Sequence, residues 1–185
     1  MTISALVVHA SATFPSMDIG FKEIDSWHRE RGFNMCGYHY IIRRDGTVEK
    51  GREDNVQGAH VGGFNRWKGK LTLGICLVGG LKQGTKIPQD NFTPEQYTSL
   101  SKLLDQLMDK YPEAKLMGHR NFPSHESRGC PCFDIESYIE YIYAVRTALY
   151  LPDNWADWDW KLGVPKDWNV PSSMYEEIPN DITGK

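Results

Sequence analysis

Two histidines and two cysteines supply the residue types that bind transition metals, and each sits in a setting unlike ordinary core sequence. His9 ends the apolar run Leu6-Val7-Val8, and His119 follows Lys115-Leu116-Met117-Gly118, so each imidazole lies where a strand gives way to a loop. Cys130 and Cys132 flank Pro131 in Gly-Cys-Pro-Cys-Phe-Asp, a loop composition better suited to chemistry than to packing. A thiolate with two imidazoles is a sound three-donor set for zinc, with the fourth position left for water. One residue between the cysteines is too tight for the usual two-cysteine zinc knuckle, so only one of them is expected to bind. None of the donors is spaced as in a zinc finger, and only a folded chain could gather them. The chemistry so implied is hydrolysis, because zinc polarises a carbonyl and lowers the pKa of bound water to about 7. The competing reading makes all four ordinary core residues.

The elements that must position these groups can be read from periodicity. Ala5 to His9 reads as a short buried strand. Asp18 is expected to cap a helix running to Arg31, with Phe21, Ile24, Trp27 and His28 on its inner face and Gly32 stopping it. His28 is then a packing residue. Gly37 to Arg43 is rich in aromatic and β-branched residues and forms a hairpin with Val48-Glu49-Lys50 through an Asp-Gly turn. Tyr38, Tyr40 and Ile42 fall on one face of that strand, His39 and Ile41 on the other. The glycine-rich stretch Gly58 to Asn65 reads as a loop whose His60 and Asn65 have little reason to be buried. Leu71 to Val78 is a central strand. Thr93-Pro94-Glu95-Gln96 opens a second helix, with Tyr97, Leu100, Leu103, Leu104, Leu107 and Met108 as its buried stripe. Lys115 to Met117 is a last short strand, and Asp134 is expected to cap a third helix.

Interleaved strands and helices make the class α/β: a single domain, residues 1–150, with a central mixed β-sheet flanked by helices. From Leu151 the composition changes. Four of the six tryptophans, Trp155, Trp158, Trp160 and Trp168, fall among four prolines in residues 151–185. Disordered segments are poor in aromatics, so this C-terminal extension is expected to be a strap packing on the domain rather than a loose tail.

Bulk properties narrow the partners. With 185 residues the chain can bury a real core, and a formal net charge of −3 gives no basic footprint, so nucleic acid is not expected as a partner. No apolar run is long enough to span a bilayer, so no membrane insertion is expected. Met1-Thr2-Ile3-Ser4-Ala5 runs straight into a strand without a charged leader, which predicts synthesis without a signal peptide and folding in the cytoplasm. Disulfides are then not expected, and Cys36 and Cys76, in apolar strand-like settings, read as small buried hydrophobes. A monomer is expected.

Taken together and in order, these segments resemble the type 2 N-acetylmuramoyl-L-alanine amidases, a superfamily that includes amidase-type phage lysozymes and peptidoglycan recognition proteins. Val8-His9-Ala10-Ser11-Ala12-Thr13 resembles the first metal motif, and Gly37-Tyr38-His39-Tyr40 with Arg44-Asp45-Gly46-Thr47 the tyrosine strand and its hairpin. Gly58-Ala59-His60 with Asn65, and Gly74 to Gly80, match the middle of the domain. Gly118-His119-Arg120 and Cys130-Pro131-Cys132-Phe133-Asp134 resemble the other two ligand motifs. The resemblance implies Zn2+ held by His9, His119 and Cys130, with Tyr38 as the catalytic tyrosine. The position two before the cysteine, a lysine in similar phage enzymes, is Arg128 here, which keeps the charge but replaces a compact ammonium with a flat fork. Tyr38 would orient water or share its proton and Arg128 would meet the tetrahedral oxygen. His60 and Asn65 are candidates for holding the muramyl or peptide part. Cys132 in place of Cys130 stays open as the thiolate ligand. The segment from His119 to Cys130 is longer than in the compact phage lysozymes, and the tail after Tyr150 has no counterpart there.

The activity implied is hydrolysis of the amide between N-acetylmuramic acid and L-alanine in bacterial peptidoglycan, by a phage or prophage endolysin that reaches the wall after holin-mediated release. Two alternatives stand beside it: a non-catalytic peptidoglycan-binding module, and a cytosolic amidase that recycles muropeptides. A phage or host protein partner, as in the polymerase-binding phage lysozymes, could coexist with hydrolysis.

Overall fold

The computed structural model describes residues 2–127 and 129–149, together with Trp158–Asp159 and Val164–Pro165. The chain divides into two units, residues 1–136 and 137–185.

The first unit is built on β1, Ile3–Ala10, every residue of which is buried. A strand covered on both faces reads as a continuous apolar run, as this one does. After α1 (Phe21–Glu30) come β2 (Tyr40–Ile42) and β3 (Val48–Lys50), joined by a turn in which Asp45 accepts the Thr47 amide at 2.8 Å. Then follow β4 (Arg66–Trp67), β5 (Lys70–Leu77), α2 (Pro94–Lys110) and β6 (Lys115–Gly118). The sheet runs β3-β2-β5-β1-β6, with β4 also on β5. β1 is parallel to both β5 and β6, and β2 is parallel to β5. The β2/β3 and β4/β5 pairs are antiparallel. The expected α/β class with a mixed sheet is what the chain forms.

β1 occupies one edge of β5 along its length, so β4 and β2 share the other edge. β4 meets Lys70 and Leu71, and β2 meets Ile75 to Leu77. Between them, at Thr72 to Gly74, no strand completes the ladder: the His39 amide donates to the Gly74 carbonyl at 2.9 Å, and the His39 and His60 rings reach the Gly74 amide and the Thr72 carbonyl. This gap shapes the site.

Helix α1 begins two residues later than the sequence suggests. Its N-cap is Gly20, whose amide is taken by Glu23 at 2.8 Å, while the Glu49 carboxylate from β3 takes the Phe21 amide. Asp18 instead pairs with Arg43 at 2.7 Å. Two other carboxylates thus serve the helix end, and Asp18 is drawn instead to the Arg43 guanidinium. The α2 start is as read, with Thr93 Oγ1 accepting the Gln96 amide at 3.1 Å and Gln96 completing a capping box. The buried Gln96 also donates to the carbonyls of Ile42 and Val78 at 3.1 and 2.9 Å, tying α2 to the sheet.

One core cluster gathers Ala5, Val7, Val61 and Phe122, and another Ile19, Ile24, Cys36, Ile41 and Val78, with Trp27 and Tyr38 against the latter. Burying each Val, Ile or Phe side chain of these clusters is worth about 1.5–3 kcal/mol. Register puts Ala5, Val7 and His9 opposite Thr72, Gly74 and Cys76, and Ile41 opposite Cys76. These residues share one face of the sheet, and His9 stands at its carboxyl end.

Helix α3, Ile135–Leu149, begins at the boundary of the two units. In the second unit β7 (Trp158–Asp159) pairs antiparallel with β8 (Val164–Pro165). Apart from these four residues, the Trp/Pro-rich strap and its expected boundary after residue 150 lie outside the described residues. Among the described residues no helix is long and apolar enough to cross a membrane.

Candidate metal centre

Parallel pairing brings the first two donors together. Val8 lies opposite Gly118, so His9 and His119 are the next residues on neighbouring strands, and their rings are 4.6 Å apart. Carboxyl ends of parallel strands are where α/β sheets build ligand sites. The third donor arrives on a loop. Cys130 Sγ accepts the Ala10 amide at 3.3 Å and lies 3.7 Å from His9 Nδ1. One ligand atom from each of His9, His119 and Cys130 lies within 4.8 Å of the others. His9 is buried, whereas His119 and Cys130 are half-buried.

The loop is held at both ends. Asn121 accepts the Gly118 amide at 2.6 Å and donates to Glu136 at 2.7 Å, and the Arg120 guanidinium donates to the Phe133 carbonyl. Cys132 adopts φ +73°, a left-handed conformation uncommon for a side chain larger than glycine, and its amide closes a tight turn on Gly129 O. The Cys132 thiol packs on Gly80, where a Cβ would approach its sulfur to 3.0 Å. Burial pushes that thiol up to about 11. Of the two cysteines, Cys130 is the one that joins the histidines.

Tyr38 is half-buried beside them, its ring 5.2 Å from His9 and 5.4 Å from His28. Burial, reinforced by the Cys76 and Cys130 thiols, holds its hydroxyl well above the usual phenol range, so it stays protonated. Arg128 lies outside the described residues. His28 accepts the Gly37 amide at 2.8 Å, as suits a packing residue.

His60 is not on the surface, contrary to its glycine-rich surroundings. It is buried, with Nδ1 3.0 Å from His9 Nε2 and Nε2 3.2 Å from the Thr72 carbonyl. The unpaired stretch of β5 receives it, and Gly74 makes the room, since a Cβ there would come within 2.7 Å of the ring. Asn65 also turns inward, accepting the His60 and Val61 amides at 2.8 and 3.1 Å and donating to Gly62 O at 2.5 Å. The polar atoms of both residues, expected to meet substrate, are engaged within the protein. A sequence signal for this existed: a glycine inside a strand marks a close approach, and Gly74 interrupts the apolar run.

Two further residues escaped sequence reasoning. His125, in the loop before Cys130, sets its ring 4.8 Å from His119 and 5.9 Å from Phe64. Arg52 is buried and donates to the carbonyls of Cys36, Gln57 and Met35, tying the backbone just before Tyr38 to the loop that leads to His60. Nothing in its Gly-Arg-Glu-Asp context announces that role.

The site is electrostatically prepared for a cation. Burial, with His60 and His119 adding, holds His9 well below the usual imidazole range. Burial takes His60 down to about 3 and His39 to about 4. Neutral imidazoles keep a lone pair for a metal, and two of them with one thiolate suit a borderline-soft dication.

A mixed sheet with two histidines at its parallel strand ends and a loop cysteine between them defines a class of hydrolase domain, and the comparisons agree. The family model described as N-acetylmuramoyl-L-alanine amidase matches residues 1–133. The chain belongs to that family and is an N-acetylmuramoyl-L-alanine amidase. It is 42% identical over 137 residues to the endolysin of Enterobacteria phage K11, and 43% identical over 136 residues to the endolysin of Escherichia phage T7. Each match covers 74% of this chain and 85% of the relative. Among solved structures it is similar to the endolysin amidase LysCS from Clostridium intestinale, with TM-score 0.62 and 30% identity over 76% of this chain and 83% of that one.

Proposed function

We propose that this amidase is a zinc-dependent endolysin that cuts the bond between N-acetylmuramic acid and L-alanine in bacterial peptidoglycan, with His9, His119 and Cys130 holding the ion. The observation that carries the reading is the convergence of these three donor atoms within 4.8 Å of one another. The two phage endolysin relatives, matched over most of their length, support the lytic role. Delivery to the wall through a holin is part of this reading.

Zinc, when bound, supplies Lewis acidity and ionises water near neutral pH. The protein's own residues do the rest. His9 and His119 present neutral imidazoles, and the Cys130 thiolate offsets one of the two charges of the ion. The Tyr38 hydroxyl, held protonated, donates a hydrogen bond beside the donors and orients the attacking water. Arg128 meets the oxygen on which negative charge develops, an effect typically worth about 3 kcal/mol for a well-placed donor.

The test is metal content together with turnover. The protein should retain one zinc per chain after dialysis, and Cys130→Ser should lose both tight zinc binding and at least about three orders of magnitude of hydrolysis. A Cys130→Ser protein with wild-type activity would overturn the ligand assignment.

A further inference from the structure

His9 has two ring nitrogens, and only one can face Cys130 and His119. What decides which nitrogen carries the proton is legible in the chain of contacts behind the ring. The Thr72 carbonyl can only accept, so the His60 Nε2 lying 3.2 Å from it bears the hydrogen. The Thr72 hydroxyl, 3.3 Å from the same nitrogen, has carbonyls of Phe64 and Asn65 at 3.3 Å to receive its own proton, leaving its oxygen to accept as well. In a neutral ring His60 Nδ1 is then bare. It lies 3.0 Å from His9 Nε2, which must therefore be the N–H that donates to it. His9 Nδ1 is left with its lone pair, 3.7 Å from Cys130 Sγ. The partners of His60 are a carbonyl, a hydroxyl and an imidazole, none of which would balance a positive charge on it.

We infer that His60 is a positioning residue which, by the chain Thr72 carbonyl, His60, His9, fixes His9 in the Nε2–H tautomer and aims Nδ1 at the ion. This role rests on the reading of His9 as a metal ligand. Metal-binding histidines commonly donate their second N–H to a carboxylate, a carbonyl or a water. Here an imidazole spans the distance to the carbonyl, and the fold is cut to admit it. A Cβ at Gly58 would come within 2.5 Å of the His60 ring and 2.8 Å of His39, and one at Gly74 within 2.7 Å of His60. His39 closes the far side, its ring 5.7 Å from His60, Nδ1 accepting the Gly74 amide at 2.9 Å and Nε2 facing Val56 O at 3.0 Å. Asn65 pins the His60 amide from the loop.

The test has two readouts besides activity. Long-range 1H–15N correlation spectra of the full chain with 15N-labelled histidine, recorded zinc-loaded and chelated, report each tautomer; both His9 and His60 should be Nε2–H in the chelated protein. An Nδ1–H tautomer on either ring would overturn the proposal. Zinc affinity by chelator competition should fall about 10–100-fold in His60→Leu. In His60→Gln, whose amide can both accept from His9 and donate to Thr72, it should stay within about threefold, well short of that loss. A folded His60→Leu with wild-type zinc affinity would also overturn it, and if that variant does not fold, the wild-type spectra decide. A wild type that binds no zinc yet shows both Nε2–H tautomers defeats the metal reading alone and leaves the hydrogen-bond chain standing.

Discussion

Two buried polar clusters in the first unit solve the same problem in opposite ways. Asp54, 7% exposed, accepts from the Tyr40 and Tyr111 hydroxyls at 2.6 and 2.8 Å, from Lys110 at 2.8 Å and from Lys50. Burial alone would raise its carboxyl, but the hydrogen bonds from Lys110, Lys50, Tyr40 and Tyr111 outweigh it and hold the group well below the carboxylate range. Charge is met by charge, every acceptor position is used, and β2, β3 and the end of α2 are locked together. The histidine cluster of His9, His60 and His39 contains no such pairing. Its rings are neutral because burial makes them so, and hydrogen bonding consumes every nitrogen but the one that faces Cys130. A saturated cluster stabilises; a cluster with one lone pair left over can bind.

That contrast can be broken most sharply at Gly74. Gly74→Ala puts a methyl into the His60 ring and should weaken zinc binding about 10–100-fold, while leaving the Asp54 cluster intact. Equal zinc affinity in the alanine variant would mean that the cradle has no hold on the metal site.

The acid response of His39 comes next. Its folded value of about 4 lies below the unfolded value of about 6.5, so the unfolded chain takes up the proton first. The stability contributed by the neutral ring is complete above pH 6.5 and declines as pH falls towards 4, by about 3 kcal/mol for a shift of about 2.5 units. Urea unfolding of chelated wild type and His39→Asn should show the wild-type advantage shrinking across that window. A constant difference would contradict the neutral-cluster account.

Asp54→Asn gives the smaller effect. It should cost about 2 kcal/mol, in the range for hydrogen bonds to charged groups, discounted because both lysines are partly exposed. Its contribution is present above the unfolded carboxylate pKa, about 4, and lost as pH falls below it. Zinc affinity should not change, and a loss there would merge the two clusters into one.

Sequence and structure agree where local signals and packing point the same way. β1 and β5 are apolar runs that become central strands, and Thr93 to Gln96 spells out a helix start that forms as written. Agreement ends where a distant partner takes over a local task. Asp18 resembles a helix cap, but Glu49 comes from across the hairpin to serve that helix end. Gly37 to Arg43 reads as one strand, yet the ladder is confined to Tyr40–Ile42 because Gly37 and His39 are bound one at a time, by Ala59 and Gly74. Glycine-rich composition made the His60 loop look solvated, whereas Gly58 leaves the room in which the His60 and His39 rings pack. The candidates His9, His119 and Cys130, which the fold brings together, were legible because their motifs are contiguous. The chain behind His9 was not, because it depends on a gap in the sheet edge that no local pattern encodes.

The central claim is tested most directly by mass spectrometry of the soluble products released from purified sacculi. The account predicts free stem peptides beginning with L-alanine, their release abolished by a chelator and restored by added zinc. Intact sacculi in the presence of zinc-loaded protein, or equal release with the metal removed, would contradict it.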